Sequence, residues 1–194
     1  MRVIVRVVLW TWFIVAIVVG RLELLARLPA VATQGILAAL TALLLAACFG
    51  VPAVRTWLQT FDVRALVLLH VSRFVGGYFL FLYHRGALPY AFAVPGGWGD
   101  MIVAFLSVLV VFVPMSASLR RHAILIWNTF GLVDILLVGA TAARIGFSHP
   151  WQLRALQILP LSILPTFLVP LLIATHAIIF VRLSRESPET ATPA

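Results

Sequence analysis

Residues 123–143 read AILIWNTFGLVDILLVGATAA, and this stretch decides the fold. It contains one charged side chain, that of Asp134. Its length matches the roughly 20 residues that an α-helix needs to cross the hydrocarbon core of a bilayer. The apolar residues follow one another without the strict alternation of a transmembrane β-strand, so a β-barrel is excluded. The stretch therefore predicts a transmembrane helix.

Five further apolar runs accompany this one, at about 3–20, 35–54, 65–84, 99–115 and 156–181. The chain of 194 residues is 63% hydrophobic and 10% charged, whereas a soluble domain is about half apolar and a quarter charged. We therefore predict an all-α, polytopic transmembrane helix bundle of about six spans. The bundle is expected to form a single domain over 1–181, followed by a polar, disordered cytoplasmic tail over 182–194.

The first run is preceded by arginines, which raises the question of a signal peptide. Arg21, Glu23 and Arg27 separate this run from the nearest small-residue cleavage motif. A signal peptide is cut closer to its apolar segment. The first run is therefore expected to remain as a helix.

The charge distribution indicates membrane orientation rather than a nucleic-acid partner. The net charge is +8, but the 14 basic residues are arginines placed singly or in pairs near the ends of the runs, whereas nucleic acid requires a clustered basic face. Eight arginines lie on the side of the N-terminus and five on the other, with Arg73 inside a span. Because cytoplasmic loops carry the excess of positive charge, we expect a multi-pass protein of the bacterial inner (cytoplasmic) membrane with both termini in the cytoplasm.

The connection between the third and fourth runs has an unusual composition. Residues 85–100 read RGALPYAFAVPGGWGD and carry no charge between their two ends. We predict an apolar, Pro/Gly-rich loop that lies on or dips into the outer leaflet, where it caps a cavity or is buried by its neighbours. Asp100 is expected on the outer side, near a helix N-terminus, where backbone N–H groups favour an anion.

Ionisable residues inside the runs mark the candidate site, because charges in hydrocarbon are expensive and usually face the bundle interior. With a rise of about 1.5 Å per residue, Arg73 and Asp134 reach similar depths near the middle of the membrane. We predict that the two residues form an ion pair. The pair either only fixes helix packing or forms part of a substrate or proton site.

Two histidines and one asparagine are predicted at a common depth nearer the cytoplasmic side, namely His70, His176 and Asn128. Histidines on two different helices can ligate haem b or a metal. Arg73 lies one turn from His70, which opposes a bare cation but suits a haem propionate. The alternative is that the histidines form hydrogen bonds across the bundle, and no metal site is assigned.

Several spaced motifs resemble a group of small uncharacterised bacterial polytopic membrane proteins. They are Arg73-x-x-Gly76-x-x-Phe79-Leu80, the glycine and proline pattern from Gly86 to Asp100, Trp127-Asn128-x-x-Gly131-Leu132-x-Asp134, and Leu164-Pro165-x-Phe167-Leu168-Val169-Pro170 followed by His176. The likeness covers about 65–180 and implies a membrane localisation, with no known activity. The spacing of arginine, glycine and phenylalanine also resembles, more distantly, DoxX-like four-helix proteins, from which no function is carried over.

The polar residues inside the runs favour a binding protein over an enzyme. We expect non-enzymatic binding or transport of a small solute, lipid or ion through a site formed by Arg73, Asp134, His70, Asn128, His176 and, on the outer side, Asp100. One alternative is a membrane redox module that binds haem b or quinone. A second is a membrane-embedded enzyme acting on a lipid, although such a site normally needs a denser set of carboxylates, histidines or a nucleophile. The expected partners are the lipid bilayer and a small-molecule or lipid ligand.

Overall fold

The protein is all-helical over the part that the structure, a computed structural model, describes: residues 2–185, with side chains from Val3 onward. The α-helices are α1 (Arg2–Arg21), α2 (Ala30–Gly50), α3 (Pro52–Leu58), α4 (Val63–Leu68), α5 (Gly76–His84), α6 (Tyr90–Phe112), α7 (Ala117–Ser148) and α8 (Val169–Arg185). Within 2–185, six helical segments are long and apolar enough to cross a membrane: Val3–Arg21, Ala30–Gly50, Val63–His84, Tyr90–Phe112, Ala117–Ser148 and Leu164–Arg185. The all-α class and the six candidate spans agree with the prediction.

The third candidate span is not a uniform α-helix. Asp62 caps its start by accepting from the backbone N of Arg64 at 2.9 Å. After α4 the chain tightens into a 3₁₀-helix over Leu69–Val75 and then returns to α geometry in α5. Side chains three residues apart eclipse one another in a 3₁₀-helix. His70 and Arg73 therefore point from the same side of this segment, and both are buried.

The sixth candidate span begins with a π-helical segment, Leu164–Leu168, that leads into α8. Pro170 has no N–H to donate to the carbonyl of Thr166, four residues earlier. The indole Nε1 of Trp12 donates to that carbonyl at 2.8 Å, and the Trp12 ring stands edge-on to Phe167 with centroids 4.8 Å apart. Pro170 thus leaves the Thr166 carbonyl free to accept a hydrogen bond from Trp12, and this hydrogen bond attaches α1 to the bundle.

The predicted loop over 85–100 is wrong over most of its length. The chain turns at 85–89, and α6 begins at Tyr90 and continues through Pro95 to Phe112. In an apolar environment every backbone N–H and C=O must find an internal partner, which favours a helix over an uncharged loop. Asp100 consequently lies ten residues inside α6, and not near the N-terminus of a helix as predicted.

The glycines of this stretch serve helix packing. An added Cβ on Gly76 would clash with the carbonyl oxygen of Gly97, and one on Gly97 would lie 2.8 Å from the carbonyl oxygen of Gly76. Small residues let two helix backbones approach closely within a membrane bundle. The glycine pair thus brings the start of α5 against the first half of α6, which places Asp100 opposite Arg73.

Arginines satisfy carbonyl groups where helices end near the N-terminal side of the bundle. Arg120 donates to the carbonyls of Val110 and Val111 at 2.7 and 2.9 Å. Arg182 donates to the carbonyls of Leu58 and Phe61. The last carbonyls of a helix have no intrahelical partner, and cationic side chains near them are favourable. Since α8 continues to Arg185, the first four residues of the predicted tail are helical. The remainder of that tail lies outside the described residues.

Candidate functional site

An arginine held by two carboxylates forms the centre of the site. Nε of Arg73 donates to Oδ1 of Asp100 at 2.6 Å, and Nη2 donates to Oδ2 of Asp134. Nη1 donates to the carbonyl oxygen of Gly131 at 2.9 Å. The Arg73 side chain is 1% exposed, while those of Asp100 and Asp134 are 11% and 14% exposed. The predicted pairing of Arg73 with Asp134 is confirmed, and Asp100 joins the pair from α6.

The backbone makes room for this cluster at Gly99. A Cβ on Gly99 would clash with Oδ1 of Asp134. No side chain fits at this position while the Asp134 carboxylate keeps its place. The position of that carboxylate beside Arg73 therefore depends on the glycine.

The two acids outnumber the one base. With all three groups ionised, the cluster of Arg73, Asp100 and Asp134 carries a net charge of −1. A buried charge without compensation is strongly unfavourable in an apolar environment. One further positive charge, from a proton or a ligand, brings the cluster to neutrality.

A cavity of about 70 Å³ adjoins the cluster, and Arg73 and Asp100 are the charged residues of its lining. The rest of the wall is mostly apolar and comes from Thr33, Gln34, Leu37, Val75, Phe79, Phe92, Ile135, Val138, Gly139, Ala142, Leu156, Leu164, Pro165, Leu168, Val169 and Leu172. Most of these residues lie in the halves of their helices nearer the α5–α6 turn. The cavity is thus an apolar space with a charged group at one end, which is the usual composition of a ligand pocket.

The predicted histidine pair forms on the other side of Arg73, and its hydrogen bonds assign both tautomers. Thr175 donates to the carbonyl of Leu172 at 2.8 Å, so its oxygen accepts from Nε2 of His70 at 3.0 Å. Nδ2 of Asn128 donates to the carbonyl of His176 at 3.0 Å. Oδ1 of Asn128 therefore accepts from Nδ1 of His176 at 2.8 Å. Each imidazole carries its proton on the bonded nitrogen.

The other two imidazole nitrogens are buried acceptors. Nδ1 of His70 and Nε2 of His176 have no hydrogen-bond partner among the described residues. The edge of the His176 ring lies against Gly131, where an added Cβ would be 2.7 Å from Cε1. Because the Gly131 carbonyl accepts from Arg73, one turn of α7 links the histidine pair to the ion cluster.

The two histidines are too close together to ligate one haem between them in this arrangement. Their ring centroids are 4.2 Å apart, and the planes are tilted by 49°. Two axial imidazoles hold the iron between their nitrogens at roughly 2 Å from each, so their ring centroids must stand farther apart than this. Across residues 2–185, no group of three or more His, Cys, Asp or Glu side chains is placed to hold a metal ion.

The structure brings all six predicted site residues into two neighbouring groups. Arg73, Asp134 and Asp100 form one group, and His70, Asn128 and His176 form the other. The sequence analysis did not identify the Gly131 carbonyl, Thr175 or Trp127, whose ring centroid is 5.0 Å from that of His70. Gly131 lies three residues after Asn128 and four after Trp127 on one helix. This spacing was the available signal, since such residues share a face.

These features define an all-helical bundle with six candidate membrane spans and a buried ion cluster beside an apolar cavity. Residues 30–184 match the family model described as Domain of unknown function (DUF8737), and the chain belongs to this family. A search of the curated proteins and a search of the solved structures each found no match. The family match begins at the first residue of α2, so α1 lies outside the matched region.

Proposed function

We propose that this protein binds a small amphipathic solute with a positively charged end, in the cavity beside Arg73, as a non-enzymatic binding or transport protein of the membrane. The observation that carries the proposal is one arginine held between two aspartates at the end of an apolar cavity. The same proposal places the bundle in a bacterial cytoplasmic membrane with both termini cytoplasmic, because most arginines lie on that side.

The charge of the cluster supports a cationic ligand. Asp100 is part of the cavity wall and is more exposed than Arg73. A ligand that enters the cavity therefore meets a carboxylate that already shares its arginine with Asp134. A cationic end restores neutrality to the cluster, whereas an anionic end would add a second uncompensated negative charge.

The shape of the cavity supports a narrow apolar body. Phe79, Phe92 and Leu168 form part of its wall. Its volume of about 70 Å³ is below the roughly 150 Å³ of an engineered cavity that holds benzene. The apolar wall suits a narrow, flexible alkyl chain. A six-carbon chain, which is larger than benzene, enters only if the cavity widens around it.

Two departures from α geometry flank the cavity and support a change of shape around a ligand. Arg73 and Val75 belong to the 3₁₀ segment of the third candidate span, and Leu164, Pro165 and Leu168 belong to the π segment of the sixth. Such segments inside long helices often mark hinges and functional sites. Both segments contribute directly to the cavity wall.

Three ligands with the same six-carbon chain test the proposal. n-Hexylamine, 1-hexanol and hexanoate differ in the charge of the head group, and their effect on the melting temperature is measured in lipid nanodiscs at neutral pH. We expect the amine to raise the melting temperature of the wild type more than the alcohol, and hexanoate to give no increase. Equal effects of all three ligands, or a preference for hexanoate, would refute the proposal.

A pair of matched glycine variants separates binding in the cavity from general effects of an amphiphile. Gly139 lines the cavity, and a Cβ added there meets nothing within 4 Å, so Gly139→Leu is expected to fill the space without a backbone clash. Gly35 of α2 is exposed and equally free of contacts, so Gly35→Leu is the control. The amine effect should disappear in Gly139→Leu and persist in Gly35→Leu. Persistence in both variants would mean that the amine does not bind in this cavity.

A further inference from the structure

A second cavity lies at the end of the bundle where α2, α3 and α8 terminate. Its volume is about 290 Å³, far more than the roughly 10–15 Å³ that one water needs. It is lined by Cys48, Phe49, Arg55, Leu58, Gln59, Ile178, Val181, Arg182 and Arg185. It shares no lining residue with the cavity beside Arg73.

Three guanidinium groups surround this space, and no carboxylate is among the nine described residues that line it. Arg182 is fixed in position because it donates to the carbonyls of Leu58 and Phe61. Arg55 and Arg185 are exposed. Like charges held around one cavity repel one another, so an anion between them is favourable.

The cavity also lies where the apolar surfaces of α2 and α8 end and arginine side chains begin. Phe49 is 41% exposed and belongs to the last turn of α2, and Val181 and Ile178 are one and two turns before Arg185 on α8. Guanidinium groups match phosphate oxygens in geometry and charge. Basic pockets between transmembrane helices are suited to anionic head groups.

We infer that this cavity binds the phosphate head group of an anionic phospholipid such as phosphatidylglycerol. Arg55, Arg182 and Arg185 contact the phosphate, and the acyl chains follow the apolar surface of Phe49 and Val181. The lipid connects the end of α2 to the end of α8, two helices that also pack against each other. This site is independent of the function proposed for the Arg73 cavity.

Native mass spectrometry of the delipidated full chain tests the inference, with phosphatidylglycerol or phosphatidylcholine of the same acyl chains added back. The wild type is expected to retain phosphatidylglycerol in preference to phosphatidylcholine. Each arginine near an anionic lipid contributes about a fivefold gain in binding, so Arg55→Gln with Arg185→Gln should weaken phosphatidylglycerol binding by about 25-fold. Both residues are exposed, so the double variant is expected to fold.

A matched double variant and inorganic phosphate complete the experiment. Arg144→Gln with Arg154→Gln removes the same charge from exposed positions at the opposite end of the bundle, and should leave lipid retention unchanged. Inorganic phosphate alone is expected to give no increase in melting temperature. Equal losses in the two double variants, equal retention of the two lipids, or stabilisation by inorganic phosphate without lipid retention would each overturn the inference.

Discussion

Nε of Arg73 donates to Oδ1 of Asp100 at 2.6 Å, across the interface between the 3₁₀ segment and α6. This contact converts a simple ion pair between Arg73 and Asp134 into a cluster with an excess of one carboxylate. The excess has consequences for stability, because removing the cation and removing one anion are no longer equivalent changes.

Arg73→Met should be much more damaging than Asp134→Asn. The first change leaves two buried carboxylates without a cation, and breaking a buried ion pair in this way typically destabilises by about 3–5 kcal/mol. The second leaves one neutral pair of Arg73 and Asp100, and should change the stability by about 1 kcal/mol, the net worth of a hydrogen bond. Melting temperatures of the detergent-purified variants, followed by tryptophan fluorescence, compare the two. If Arg73→Met and Asp134→Asn lowered the melting temperature equally, the cluster would not carry an excess of negative charge.

The same cluster predicts which combination restores stability. Arg73→Met with Asp134→Leu leaves Asp100 buried without its cation, so recovery should be incomplete. Adding Asp100→Leu removes the last charge and should recover most of the melting temperature, because an apolar replacement of a buried ionic group is often neutral or stabilising. Full recovery in the double variant would show that Asp100 does not depend on Arg73.

Much of this site was predictable because the rise of a helix is constant. Arg73 and Asp134 were placed at one depth from their distances to the helix ends, and they meet. Asp100 was misplaced because the glycines before it were interpreted as a turn. In a membrane bundle such glycines instead allow two backbones to approach, as Gly76 and Gly97 do.

Other features depend on geometry that local sequence does not specify. The 3₁₀ register that aligns His70 with Arg73 and the π segment at Leu164–Leu168 arise from packing and from the missing donor at Pro170. Nothing in the local sequence indicated that Trp12 would bond to the carbonyl released at Pro170. The cavity beside Arg73 is formed by residues from five candidate spans, so no single stretch indicates it.

Gly99→Ala should destabilise the protein through Asp134. The new methyl group would occupy the position of Oδ1 of Asp134, so the carboxylate must leave Arg73. The loss should be about 2 kcal/mol, in the range for a hydrogen bond to a charged group. Gly139→Ala, where an added Cβ meets nothing within 4 Å, is the control with no expected loss. Combined with Asp134→Ala, Gly99→Ala should have little additional effect on the melting temperature, whereas a full additional loss would rule out this steric relationship.

Trp12→Phe should weaken the attachment of α1. The ring contact with Phe167 is retained, but the donor to the Thr166 carbonyl is lost. A loss of about 1 kcal/mol is expected, which corresponds to about 2–4 °C in melting temperature for a chain of this size. Trp10→Phe is the matched control, since Trp10 is 64% exposed. If both variants melt at the same temperature, the Trp12 bond does not hold α1.

Cysteine labelling tests the orientation proposed from the arginines. In a Cys48→Ala background, Ser118→Cys and Ser148→Cys introduce exposed thiols at opposite ends of α7. Position 148 should react with a membrane-impermeant maleimide in intact cells, and position 118 should react only after permeabilisation. The reverse pattern would place both termini outside the cytoplasm.

The central claim is that a cationic ligand neutralises the excess carboxylate of the cluster formed by Arg73, Asp100 and Asp134. The number of protons released when the ligand binds tests this claim most directly. If the empty cluster is neutralised by a proton, a hexylammonium ion that replaces it must release that proton. Isothermal titration calorimetry of n-hexylamine into nanodiscs, repeated in two buffers of different ionisation enthalpy, gives the number released. At a pH low enough for the empty cluster to hold that proton, the account predicts about one proton released per bound amine in the wild type. It predicts none in Asp134→Asn, where Arg73 and Asp100 already balance. Binding to the wild type without proton release, or the same release in Asp134→Asn, would contradict it.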